Sequence, residues 1–370
     1  MFKMIHCADL HLDSKMIAHL NTDKAKERKI ELLNTFKRLV QDAVNNDVTV
    51  IMIAGDLFDT SRVSALTRNT ILSEIENHPT IDFYYEKGNH DTNNFIDSIE
   101  NIPSNLYVFS NEWTSYVLNK KGKRNIVLTG IEFDDENSLS FYNSLLLNVN
   151  NFNIVMLHGQ ESEYIEKKDG TVINLKKLRN KNIDYLALGH IHTYKQEKLD
   201  ARGTYCYSGC LEGRGFDECG EKGYVYIEID EDTLEYKTMF IPFARRTLYE
   251  ISVDVTCCES MQEIEDAISH TLYCLKINKD NLVRIILDGE LDVECEYSIE
   301  LLEKNHENDF YVFDIKDKTK KKVDYQSYMY DASLKGEFVR TVMSLTAFNE
   351  DEKAEIIKIG IDALAGEEVL

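Results

Sequence analysis

Five short apolar runs punctuate the first half of this chain, and each breaks at its carboxyl end into acidic, histidine or asparagine residues. The runs are Phe2 to Cys7, Val48 to Ala54, Ile81 to Tyr85, Ile154 to Leu157 and Ile183 to Leu188. Behind them stand Asp9-Leu10-His11, Gly55-Asp56, Gly88-Asn89-His90-Asp91, His158-Gly159 and Gly189-His190-Ile191-His192. An unbroken apolar run reads as a strand covered on both faces. In a parallel sheet, ligands collect outside the carboxyl ends of the strands. The pattern therefore predicts an α/β fold whose polar clusters meet at one edge.

The intervals agree. Asn21 to Asn46 carries Ile30, Leu33, Phe36, Leu39, Val40, Ala43 and Val44 at helical spacing. A second helix fits Val63 to Glu76, and Pro79 stops it. Strand, helix, strand, helix, strand implies a largely parallel sheet with right-handed crossovers. From Tyr116 a hairpin around Lys120-Lys121-Gly122-Lys123 begins a β-rich stretch, which continues through Tyr205 to Ser208, Tyr224 to Ile229 and Lys237 to Pro242. A second sheet packed on the first, with helices outside, accommodates it. Residues 1–246 form the expected main domain and 247–325 a small α+β domain. Residues 331–370 form a helical segment, with Asn349 and Glu352 placed to cap its second helix.

With 43% hydrophobic residues the chain can bury a full core. No stretch approaches the ~20 apolar residues of a membrane span. The N-terminus lacks a signal-peptide layout, so a cytoplasmic location is expected. The eight cysteines include no Cys-x-x-Cys pair and read as reduced thiols. The net charge of −23 opposes simple binding to DNA, whose recognition favours a basic face. Either the substrate is small, or metal ions, local basic patches and a partner hold the nucleic acid.

One aspartate after a strand is usually a turn or cap, and one histidine in a strand usually a satisfied core residue. Five such clusters in series point instead to metal. Asp9, His11, Asp56, Asn89, His158, His190 and His192 make seven donors. Two ions about 3.5 to 4 Å apart need a set of this size, with one carboxylate bridging. Mixed oxygen and imidazole donors suit Mn²⁺, Fe²⁺ or Zn²⁺ better than Ca²⁺ or Mg²⁺. That combination points to phosphoester hydrolysis.

Asp-x-His, Gly-Asp-x-x-Asp (Gly55 to Asp59), Gly-Asn-His-Asp, His-Gly and Gly-His-x-His together resemble the calcineurin-like metallophosphoesterase superfamily, from residue 4 to about 245. His6-Cys7-Ala8-Asp9-Leu10-His11-Leu12-Asp13-Ser14, Gly55-Asp56-Leu57-Phe58-Asp59-Thr60 and the segment around Gly213-Arg214 resemble its SbcD-like DNA-repair exonucleases, most closely the YhaO-type branch. The resemblance implies a two-sheet α-β-β-α sandwich with a small α+β cap and C-terminal helices. It implies that Asp9, His11 and His192 hold one metal and Asn89, His158 and His190 the other, with Asp56 bridging. His90 would protonate the leaving oxygen while Asp91 orients its ring. A metal-bridged hydroxide would attack phosphorus in line, with Mn²⁺ the expected metal. The implied substrate is DNA and the implied partner an SbcC-like ATPase with a coiled coil; a homodimer stays open.

The C-terminal helices would dock that partner or pack within the chain. Two basic spots could offset the acidic balance. One is Lys120, Lys121, Lys123 and Arg124. The other is Lys316, Lys318, Lys320, Lys321 and Lys322, followed by Tyr325, Tyr328 and Tyr330. Solvated tips are the plain alternative. Two other functions remain beside the nuclease: hydrolysis of small phosphoesters such as cyclic nucleotides, and a non-enzymatic scaffold.

Overall fold

The computed structural model describes the chain except residues 17–19, 61, 92–93, 98, 100, 120–123, 133–134, 136–137, 139, 163–169, 294, 323–327, 329 and 366–370. Lys120, Lys121, Lys123 and Tyr325 of the basic spots therefore lie outside the described residues. The chain divides into two compact units, Met1–Thr247 and Leu248–Leu370.

The first unit is an α-β-β-α sandwich of two six-stranded mixed sheets. One runs in the order Tyr236–Pro242, Gly223–Ile229, Phe2–Cys7, Val50–Ala54, Asp82–Glu86, Leu106–Val108. Its last four strands are mutually parallel. The other runs Lys195–Lys198, Thr204–Tyr207, Tyr185–Gly189, Phe152–His158, Ile126–Gly130, Thr114–Val117, with the middle four parallel.

Strand periodicity explains the unbroken apolar runs, because alternate side chains enter different cores. Met4, Val50 and Met52 face Ile154, Met156 and Ala187 between the sheets. Ile5, Ile51 and Ile53 face outward, under Leu32, Phe36, Leu39 and Val40 of the helix Thr22–Asn45 and Ile71 and Ile75 of the helix Ala65–Asn77. Val155, Leu157, Leu186 and Leu188 cover the far face of the second sheet beside Tyr142 and Leu178. Asn21 caps the first helix by accepting from Lys24 N, and Ser64 caps the second by accepting from Thr67 N. Ile30 and Val44, counted in the apolar stripe, are instead exposed on the first helix.

The second unit has three parallel strands, Leu248–Asp254, Leu282–Asp288 and Val312–Asp317, with helices Met261–Leu275 and Ile299–His306. Helices Leu334–Met343 and Glu350–Ala365 follow. They share a small core of Val339, Val342, Ala354, Ile357 and Ile361 with Val293 and Tyr328. Asn349 and Glu352 bond reciprocally at 2.8 and 2.9 Å, a capping box that starts the last helix. Lys321 donates to the Cys295 carbonyl at 3.2 Å and lies over the Tyr297 ring at 4.7 Å. No helix among the described residues is long and apolar enough to cross a membrane.

Candidate metal centre

The carboxyl ends of Phe2–Cys7, Val50–Ala54, Asp82–Glu86, Phe152–His158 and Tyr185–Gly189 open onto one site. The loops leaving them are knitted by backbone hydrogen bonds, Asp9 N to Gly55 O at 3.1 Å and His11 N to Asp56 O at 3.0 Å. Four site residues have left-handed backbone: Asp9 (φ 52°), His11 (45°), Asp56 (51°) and His190 (98°). Non-glycine residues in that region carry strain, which concentrates where side chains are aimed for function. Gly55, at φ 88°, leaves the room this needs, since a Cβ there would lie 2.0 Å from His158 Nδ1.

The sequence-derived donors form two groups, each within 4.8 Å, Asp9, His11 and His192, and Asp56, His158 and His190, while His11 also lies within that distance of Asp59 and His90. Asn89 Oδ1 joins the second, 3.1 Å from His158 Nε2 and 3.0 Å from His190 Nδ1. The Asp56 carboxylate faces both groups, with Oδ2 3.3 Å from His158 Nε2 and 3.8 Å from His11 Nε2. All seven sequence-derived donors thus meet. His158 reaches across from the second sheet to donate Nδ1–H to the Ala54 carbonyl at 2.9 Å, which leaves Nε2 facing the site. Asp9 accepts the His190 N–H at 2.9 Å, a second tie between the sheets.

The electrostatics suit cations. Among the described residues, neither Asp9 nor Asp56, both buried, has a lysine or arginine partner. Burial raises the Asp9 carboxyl above its ordinary value. Burial acts the same way on Asp56, but the hydrogen bond and charge of His158, with His11, hold it well below the carboxylate range. His158 is raised to about 9: burial opposes protonation, and the adjacent Asp56 and Asp9 overcome it. Burial and the charge of His158 lower His190. His11 Nε2 and His192 Nε2 stand 3.1 Å apart. Buried carboxylates and converging imidazoles, with no lysine or arginine paired to the Asp9 and Asp56 carboxylates among the described residues, are the donor chemistry that a divalent ion satisfies. The residues present fit metal.

Sequence reading missed the brace behind these donors. Glu218, buried, accepts from His192 Nδ1 at 2.7 Å and from Arg214 Nη2 at 2.6 Å. Burial works against its ionisation, yet His192 and Arg214 hold its carboxyl well below the ordinary range. Arg214 Nη1 also reaches Asp59 Oδ1 at 3.1 Å, and Asp59 lies 3.3 Å from His11 Nδ1. Asp59 stands in the Gly-Asp-x-x-Asp phrase and was within reach of motif reading. Arg214 and Glu218 lie in an irregular loop with no strand-end signal ahead of them.

The structure corrects one expectation. Asp91 does not orient the His90 ring: its carboxylate accepts the backbone N–H groups of Leu57, Phe58 and Gly88 at 3.1, 2.9 and 3.0 Å. It holds two loops together. Asp59 is the carboxylate beside His90, 3.6 Å from its Nδ1. His90 N donates to Asp56 Oδ1 at 2.9 Å, and its half-exposed ring stands edge-on to His11 with centroids 5.1 Å apart.

A metal-dependent phosphoester hydrolase is the class that this sandwich and its donor groups define. The sequence agrees: the chain belongs to the calcineurin-like phosphoesterase family, which it matches over residues 2–194. It is similar to the uncharacterized metallophosphoesterase YhaO of Bacillus subtilis, 29% identical over 77% of this chain and 71% of that protein. The DNA double-strand break repair protein Mre11 of Saccharolobus solfataricus is 25% identical over 97% of this chain and 94% of its own length. Among solved structures, GAP50, the anchor in the inner membrane complex of Plasmodium, aligns with TM-score 0.44 and 15% identity over 65% of this chain and 84% of that one.

Proposed function

We propose that this chain is a Mn²⁺-dependent DNA nuclease of SbcD type, acting in DNA repair through two metal ions. The observation that carries the two-ion reading is Asp56, a single buried carboxylate facing both donor groups at once. Asp9, His11 and His192 would hold one ion, Asn89, His158 and His190 the other, with Asp56 shared. When bound, such ions polarise a phosphate and activate water. The chain's own residues do the rest. Glu218 fixes the ring of His192, and the Ala54 carbonyl fixes that of His158. Asp59 lies 3.6 Å from Nδ1 of His90, and Nε2 would give its proton to the leaving oxygen.

Similarity to a DNA double-strand break repair protein across almost the whole chain supports DNA as the substrate, because it extends through the second unit. The acidic balance favours the rival reading, a phosphodiesterase for small esters. Leu334, Leu345, Phe348, Ile359 and Leu364 are exposed around the C-terminal helices, which supports docking of an SbcC-like coiled-coil ATPase there. The test is Mn²⁺-dependent degradation of an end-labelled duplex by the purified chain, beside His90→Asn. Loss of general acid catalysis predicts a fall of about 10²–10⁴-fold. Intact DNA with His90-dependent cleavage of bis(p-nitrophenyl) phosphate would favour the small-ester reading.

A further inference from the structure

Beside the donor groups lies a cleft of about 470 Å³, with His90, Asp59 and Arg214 on one side and Lys15, Thr60 and Asp217 among its other walls. His90 joins this cleft to the metal centre. A group that receives the His90 proton departs on this side, so the cleft is placed to receive the leaving half of the substrate.

The charges within it are unequally committed. Arg214 is held by Glu218 at 2.6 Å and Asp59 at 3.1 Å. Lys15 lines the same cleft and forms no ion pair or hydrogen bond among the described residues. It is also held in place. Its neighbours Ser14 and Met16 are buried, while Lys15 itself is exposed. Asp13, at φ 65°, anchors the loop: its carboxylate accepts from Ser64 N, Ser64 Oγ and Thr67 Oγ1 and pairs with Lys29 at 2.9 Å. Those contacts bind the loop to the start of the helix Ala65–Asn77 and to the helix Thr22–Asn45. A loop pinned by a buried carboxylate thus holds a cation toward a cleft whose arginine is already engaged.

We propose that Lys15 binds the phosphate next to the scissile one on the leaving strand. It thereby selects a polynucleotide, which has a second phosphate, over a mononucleotide or cyclic nucleotide, which has none at that place. The inference rests on the phosphodiesterase reading and names its substrate class. Lys15 acts as a specificity-determining residue and takes no part in proton transfer.

The test compares the wild type with Lys15→Met and Lys15→Arg in Mn²⁺ buffer. One substrate is a fluorescein-labelled DNA single strand and the other bis(p-nitrophenyl) phosphate. In Lys15→Met, kcat/KM for the strand should fall about fivefold, the factor of an exposed ion pair, through KM and not kcat. The slope of log(kcat/KM) against log[NaCl] should become shallower by about 0.7, one phosphate contact on a single strand. Lys15→Arg should restore both, and the loss on the small diester should be several-fold less. An unchanged salt slope, or equal losses on the two substrates, overturns the role of Lys15 and leaves the phosphodiesterase reading standing. So does a wild type that cleaves the small diester but not the strand. Failure of the wild type to cleave either substrate refutes both.

Discussion

Buried histidines make acid stability a direct test of the packing between the sheets. His6 sits on the inter-sheet face of the strand Phe2–Cys7, fully buried, with Nδ1 2.9 Å from the Tyr185 hydroxyl. Desolvation lowers its pKa to about 3, from 6.5 when free. A depressed imidazole stabilises the fold fully only above the unfolded pKa. As pH falls below 6.5 the unfolded chain takes up a proton that the folded chain refuses, until the folded value is reached. At pH 5 the cost is about 2 kcal/mol, against about 0.2 kcal/mol at pH 7. The figure is robust, since any folded pKa below about 4 gives the same value at pH 5. Urea unfolding in EDTA, followed by the fluorescence of Trp113, reports the first unit specifically, because that unit holds the chain's one tryptophan. His6→Asn shifts the whole curve by a constant through lost packing, but it cannot titrate. The gap between wild type and variant should therefore change by about 2 kcal/mol between pH 7 and pH 5, in favour of the variant. Parallel stability curves over that range would refute the assignment of a neutral, buried His6.

Two further substitutions probe the site. Glu218→Gln removes the carboxylate that fixes His192 and engages Arg214, and should raise the Mn²⁺ concentration for half-maximal activity about 10–100-fold, with saturating activity less affected; an unchanged Mn²⁺ titration would deny Glu218 its bracing role. Gly55→Ala puts a Cβ onto the His158 ring and forces a side chain into left-handed backbone, costing about 1–3 kcal/mol for the backbone alone. It should lower both the urea midpoint and the metal affinity by calorimetry, and normal values for both would contradict the geometry.

What could be read from sequence follows from how each residue reaches the site. Asp9, Asp56 and His158 are delivered by parallel strands, whose ends align whatever the loops do. Their convergence was legible because apolar runs alternating with helical periods imply parallel strands, and each polar residue stands directly at the end of its run. Glu218 and Arg214 meet His192 and Asp59 only because a long irregular loop folds back on the site, and no local periodicity records such a return. Asp91 misled for a related reason. The family resemblance implied that it orients the His90 ring, but a carboxylate with three backbone N–H groups in reach is satisfied there, and the loop geometry turns it from the ring. The exposure of Ile30 and Val44 has a simpler cause: the buried stripe of a surface helix is narrower than its apolar content.

The bond from the His158 ring to the Ala54 carbonyl joins a side chain of one sheet to the backbone of the other. A residue with two duties is a poor historical record of either one. A descendant that had abandoned hydrolysis would still be under selection to keep an imidazole at 158, since without it a hydrogen bond between the sheets, worth about 1 kcal/mol, is lost. The survival of that residue across relatives would then measure architecture as much as chemistry. Among the residues of the centre, the half-exposed ring of His90 is the freer to drift once turnover no longer matters, and it is there that an inactive lineage would first betray itself.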